Sequence, residues 1–160
     1  MNTILKDRIT LCVCIIICEL AGIIGSAFSF SAIPTWYAAL QKPRLNPPAW
    51  VFGPVWTTLF ALMGIAVFLV LKRGWSQRKV KTALVVFGAQ LIANTLWSII
   101  FFGFHAPFAA LIDILFLWIL IAITIVLFYH QSKLAAVLLV PYLCWVSFAT
   151  YLNYMIYQLN

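Results

Sequence analysis

Glu19 and Asp113 are the only acids inside the long apolar runs of this 160-residue chain. A charge at mid-bilayer costs at least about 2.5–3.5 kcal/mol. Each is therefore either a proton or cation site, or a protonated, hydrogen-bonded carboxyl that ties helices together. Glu19 shares its run with the small-xxx-small pairs Ala21/Gly25 and Gly22/Ser26, which permit close helix approach. That proximity favours the tie at Glu19.

A second group carries recognition chemistry. Gln90, Asn94, Trp97 and Phe101 follow i, i+4, i+7, i+11 spacing and share one helical face. Two amides and two large rings on one stripe suit a cavity in which amides orient a ligand and rings stack on it. Pro141, Trp145, Phe148 and Leu152 repeat the spacing, and Pro141 is expected to kink its helix and open room beside Trp145. Trp56 and Phe60 stand one turn apart. Any one of these rings could be ordinary packing or an interfacial anchor. Their coincidence on three segments favours a pocket.

Other chemistries find no support. Cys12, Cys14 and Cys18 share one apolar run with no His or Asp beside them, and Cys144 is remote. Zinc needs convergent ligands and a polar second shell, so no metal site is expected. His105 and His130 sit in short linkers and are taken as interfacial. No Ser/His/Asp arrangement or Gly-rich phosphate loop is present, which leaves no conventional hydrolase or nucleotide chemistry.

The elements that position these residues follow from composition. The chain is 66% hydrophobic and 8% charged, with mean hydropathy +1.09, so lipid must be part of its solvent. Spans are predicted over 9–30, 51–71, 80–102, 107–129 and 134–157, giving an all-α, five-helix transmembrane bundle in one domain, 1–160. Short linkers imply that sequential helices are antiparallel neighbours. The run from Ile9 to Ile24 carries Glu19 and exceeds a signal-peptide apolar core, so it is kept as a helix.

The net charge of +7 is a topology signal and does not point to nucleic acid. Lys6, Arg8, Lys72, Arg73, Arg78, Lys79, Lys81 and Lys133 share one side of a five-span chain, opposite Lys42 and Arg44. The positive-inside rule puts the first group in the cytoplasm, with the first loop and the C-terminus outside. The expected location is the cell membrane. The first loop, 31–50, is rich in proline and tryptophan. Stiff, non-helical backbone near a bilayer must be buried or line a cavity, so it is predicted to be a lid.

The motifs Trp36-Tyr37…Leu40…Lys42-Pro43…Pro47-Pro48…Trp50…Gly53-Pro54-Val55-Trp56 and Asn94…Trp97…Phe101-Phe102-Gly103 are similar to those of the translocator protein family. So are Ala110-Leu111-Ile112-Asp113 and Pro141-Tyr142-Leu143…Trp145…Phe148-Ala149-Thr150…Leu152-Asn153-Tyr154. This family, also called tryptophan-rich sensory proteins or peripheral-type benzodiazepine receptors, is resembled over nearly the whole chain. The resemblance implies a homodimeric five-helix bundle with one loop-roofed pocket per protomer. It also implies binding of porphyrins such as protoporphyrin IX and of isoquinoline carboxamides and benzodiazepines, with light-dependent porphyrin breakdown in some members.

By matching positions, the implied pocket uses Tyr37, Pro47, Trp50, Trp56 and Phe60, then Asn94, Trp97, Asp113, Trp145 and Ala149. Phe101 and Phe148 join them from the stripes. No cofactor is expected beyond a porphyrin held as ligand, with Trp56 and Trp145 as redox partners if photo-oxidation occurs. Arg44 and Leu45 depart from the family pattern, removing one lid aromatic and suggesting an Arg44–propionate pair. The sterol motif lacks its basic residue after Leu152 and Tyr154, which argues against tight sterol binding. The rival reading is a proton-coupled small-molecule efflux carrier using Glu19. A scaffold that assembles through small-residue faces is the third, with Ala89-xxx-Ala93 one candidate dimer face.

Overall fold

In the computed structural model, which describes residues 3–160, five helices are long and apolar enough to cross a membrane. They are α1 (Thr3–Ala32), α2 (Phe52–Leu71), α3 (Arg78–Ser98), α4 (Pro107–Tyr129) and α5 (Lys133–Leu159). Their boundaries have local causes. Gly74, at φ +112°, closes the turn after α2, where its N–H donates to Leu71 O at 3.0 Å. Pro107 opens α4, where a missing N–H costs nothing. Ser132 caps α5 by accepting from Ala135 N.

α1 packs on α2 and α3, α5 on α2 and α4, and α3 on α4, so the helices close a ring in the order 1-2-5-4-3. α2 and α3 hardly meet, although only a short linker joins them. The expectation that all sequential helices are neighbours therefore fails at this one step. α1 takes the place beside α3 because its small residues allow it. A Cβ on Gly25 would lie 3.0 Å from Ser98 Oγ of α3; on its other side α1 is approached by α2, where a Cβ on Gly64 would lie 2.5 Å from Ile15 Cα.

One end of the ring carries the basic residues; there Lys72 Nζ pairs with Asp7 Oδ2 at 2.8 Å, joining the N-terminal end of α1 to the α2–α3 linker. The other end carries the first loop and the C-terminus. Gln41 N donates to Asn160 Oδ1 at 3.0 Å, and Asn160 Nδ2 donates back to Gln41 O at 3.1 Å.

The first loop is shorter than predicted. α1 runs on through a π-helical turn, Ile33–Tyr37, and a 3-10 turn, Ala49–Val51, leads into α2. Pro34 falls at the start of the π turn, where the widened coil absorbs its missing donor. What remains, 40–48, is a strap held down by Tyr37. The Tyr37 hydroxyl donates to Asn46 Oδ1 at 2.7 Å, and Lys42 Nζ sits 5.0 Å from the ring centroid while donating to Ala38 O and Leu40 O. A second π turn, Ile99–Gly103, ends α3.

Candidate functional site

A cavity of about 430 Å³ opens in the loop end of the ring, within the range of small-molecule sites. Its walls come from α1, α2, α3, α5, both π turns and the 3-10 turn; α4 contributes nothing. At the deep end, the missing side chain of Gly22 leaves room for the Phe60 ring, onto which any Cβ there would fall. Trp56 stacks on Phe60, with centroids 5.6 Å apart and planes at 29°. Trp97 stacks on Phe101 at 5.2 Å and 21°. Trp145 meets Phe52 edge-on at 6.1 Å.

Hydrogen bonds fix several of these groups. Trp97 Nε1 donates to Asn153 Oδ1 at 3.0 Å, and Asn153 Nδ2 donates to Pro107 O at 2.8 Å, locking α3, α5 and the start of α4. Asn94 Nδ2 donates to the Tyr142 hydroxyl at 3.0 Å, and that hydroxyl donates to Gln90 Oε1 at 2.8 Å. Trp145 Nε1 is different: it is buried and has no partner among the described residues. A buried N–H left unpaired is costly, and this indole belongs to the cavity wall.

The structure brings together Tyr37, Trp50, Trp56, Phe60, Asn94, Trp97, Phe101, Trp145 and Ala149. Pro47, Asp113 and Phe148 do not line the cavity. Pro47 belongs to the strap, where its carbonyl accepts from Asn46 Nδ2 at 3.1 Å. Asp113 is carried by α4, the helix the cavity excludes, and its Oδ2 is buried without a partner. Phe148 packs against Trp145 from behind, at 5.7 Å.

Two further expectations change. Gln90 is buried behind the wall, tying α3 to α5 through Tyr142 instead of facing a ligand. Pro141 is exposed on the outer face of an unbroken α5, so the room beside Trp145 does not come from it. Arg44 and Leu45 form the exposed tip of the strap, outside the cavity lining. Trp50 lines the rim but is 75% exposed.

Leu152 of the α5 stripe lines the cavity too, and so do Glu19, Gly22, Ser26, Ser98 and Asn153, which the stripes did not assign there. Glu19 is one turn before Gly22, and that spacing was the available signal. His105 lies outside the cavity lining, stacked on Trp36 at 4.4 Å and 14°. No group of three or more His, Cys, Asp or Glu able to hold a metal occurs among the described residues.

The TspO/MBR family model matches residues 14–159, a span that contains every wall of this cavity. The chain belongs to the TspO/MBR family. It is 49% identical over 155 residues to the tryptophan-rich protein TspO of Chlorobaculum tepidum, covering 97% of this chain and 98% of that protein. It is 43% identical over 143 residues to the human translocator protein, covering 89% and 85%. The tryptophan-rich sensory protein of Cereibacter sphaeroides is 41% identical over 125 residues, covering 78% and 77%. The TspO/MBR assignment agrees with the all-helical, five-span membrane architecture. It supports, in general terms, a membrane role in binding ligands of the tetrapyrrole kind.

Proposed function

We propose that the cavity binds planar hydrophobic molecules from the membrane: tetrapyrroles such as protoporphyrin IX, and isoquinoline-carboxamide or benzodiazepine-type ligands. The observation that carries this is the unpartnered Trp145 Nε1 in an aromatic wall. A ligand carbonyl or ring acceptor would supply its missing partner while stacking on Trp56 and Trp97. The strap over 40–48 would then regulate access from the loop side. Titration of tryptophan fluorescence with protoporphyrin IX in the dark tests it: saturable quenching is expected, and none at any concentration overturns it.

Light-dependent porphyrin degradation is proposed as a consequence of such binding. The excited porphyrin would supply the chemistry and dioxygen the oxidant, with Trp56 and Trp145 as the nearby redox partners. Replacing both by Phe should abolish photolysis while keeping much of the binding. Photolysis at the wild-type rate in that variant refutes the role.

A second reading keeps Glu19 as the proton site of an efflux carrier, favoured by its position on the cavity wall. It requires pH-driven transport in vesicles that Glu19→Gln abolishes. We further propose a homodimer in the cell membrane with the basic end cytoplasmic. Ala89-xxx-Ala93 does not serve as its face, because Ala93 is buried within the protomer's own core. Mass measurement in detergent and cysteine accessibility from each side test these two proposals.

A further inference from the structure

Glu19 is the one formally charged residue in the cavity wall; no Lys, Arg, His or Asp lines it. Among the described residues it has no ion-pair or hydrogen-bond partner. Its place is the deep end, one turn before the Gly22 site that seats Phe60. Trp145, whose Nε1 is the unpartnered donor, lies on α5, and α1 and α5 are not neighbours in the ring. The cavity thus offers a ligand a carboxyl and an unpartnered N–H donor on separate walls, joined by aromatic surface. Of its other polar side chains, Asn94 is committed to Tyr142, Trp97 and Asn153 to each other and Tyr37 to Asn46, and Thr57 and Ser98 add only neutral hydroxyls.

This pattern has a chemical complement. A carboxylate in apolar surroundings is stabilised by a cation or N–H donor and repels another anion, and the penalty for like charges at close quarters is several kcal/mol. With no basic residue in the wall, a ligand carboxylate placed there would find nothing to pair with. The ring surfaces add attraction for a cation over their faces.

We propose that Glu19 sets the charge selectivity of the cavity. It favours planar aromatic ligands that carry a protonated amine or N–H donor at one end and an acceptor at the other, and it disfavours ligands that bury a carboxylate. The inference rests on the binding-site reading above and narrows its ligand class. For a porphyrin it fixes orientation: free propionates stay at the loop-side mouth, away from Glu19, whereas arms converted to amines turn the macrocycle round so that an ammonium meets Glu19.

Three probes with one skeleton test it: protoporphyrin IX, its dimethyl ester, and its bis-amide with ethylenediamine, which carries terminal ammonium groups. Each is titrated by tryptophan quenching against the wild type, Glu19→Gln and Glu19→Asp. The wild type is expected to bind the ammonium probe more than about tenfold tighter than the dicarboxylate, with the ester between. Glu19→Gln should collapse that ordering, mainly by weakening the ammonium probe, and Glu19→Asp should retain it. Wild-type preference for the dicarboxylate, or the same ordering in Glu19→Gln, overturns the selectivity while leaving the site in place. Absence of quenching by all three probes overturns the site itself and the selectivity with it.

Discussion

At the basic end the helices meet on Ala66, Val70, Val80, Ala83, Ala135 and Ala136, all buried, with Phe87 stacked on Phe128 at 5.7 Å and 19°. At the loop end the same ring is held apart by Trp56, Trp97, Trp145, Phe60 and Phe101 around open volume. Small side chains let helices approach, and van der Waals contact drives association where lipid offers no hydrophobic force. Large rings anchored by hydrogen bonds prop them open. Both π turns also lie at the loop end, where a widened coil re-aims Tyr37 and Phe101. One half of the bundle stores stability and the other is shaped for a guest.

Variants that exchange these roles test the contrast. The largest effect is expected from Phe128→Ala in the closed half, a loss of about 3–5 kcal/mol through an unfilled cavity. Its thermal unfolding in detergent should fall sharply, with ligand affinity of the folded fraction unchanged. Tyr142→Phe acts at the boundary between halves. It strands the amides of Asn94 and Gln90 and should cost about 1–3 kcal/mol by the same assay. Full stability in that variant would mean that the network is decorative.

In the open half the effects should move from melting to binding. Gly22→Val pushes the Phe60 ring into the cavity and should weaken ligands on the order of tenfold. A melting loss as large as that of Phe128→Ala, with affinity intact, would erase the distinction between halves. Trp145→Phe keeps an aromatic wall, though a smaller one, and removes the donor, so carboxamide ligands should weaken about threefold to tenfold, read by fluorescence competition. The smallest effect is expected at Arg44→Ala. An exposed strap cation outside the cavity should change porphyrin affinity by no more than about twofold. A larger loss would restore the Arg44–propionate pair.

Much of this was legible in the residues. The apolar runs gave all five spans, with α4 matching its predicted bounds, because length and hydropathy alone decide whether a helix can cross lipid. The stripes on α2, α3 and α5 brought Trp56, Phe60, Asn94, Trp97, Phe101 and Trp145 to one place. Errors fell where a helical wheel cannot tell an inward face from a neighbour's side. Gln90 belongs to the same stripe as Asn94 yet faces Tyr142 and the core, and Phe148 follows Trp145 yet packs behind it. The lid shrank because α1 continues past Pro34 through a π turn into the segment expected to be loop.

The sequence by itself determined a membrane protein of five helices, with its charged end and its aromatic end, since hydropathy, periodicity and charge placement are local properties of the chain. Only the tertiary structure decided the ring order 1-2-5-4-3 and the exclusion of α4, and with it Asp113, from the cavity. It also put Glu19 into the wall and left Trp145 Nε1 without a partner among the described residues. Those outcomes depend on which helix can approach which, and that is set by gaps such as Gly22 and Gly64 meeting the surfaces of other helices, a relation that spacing along one helix cannot encode.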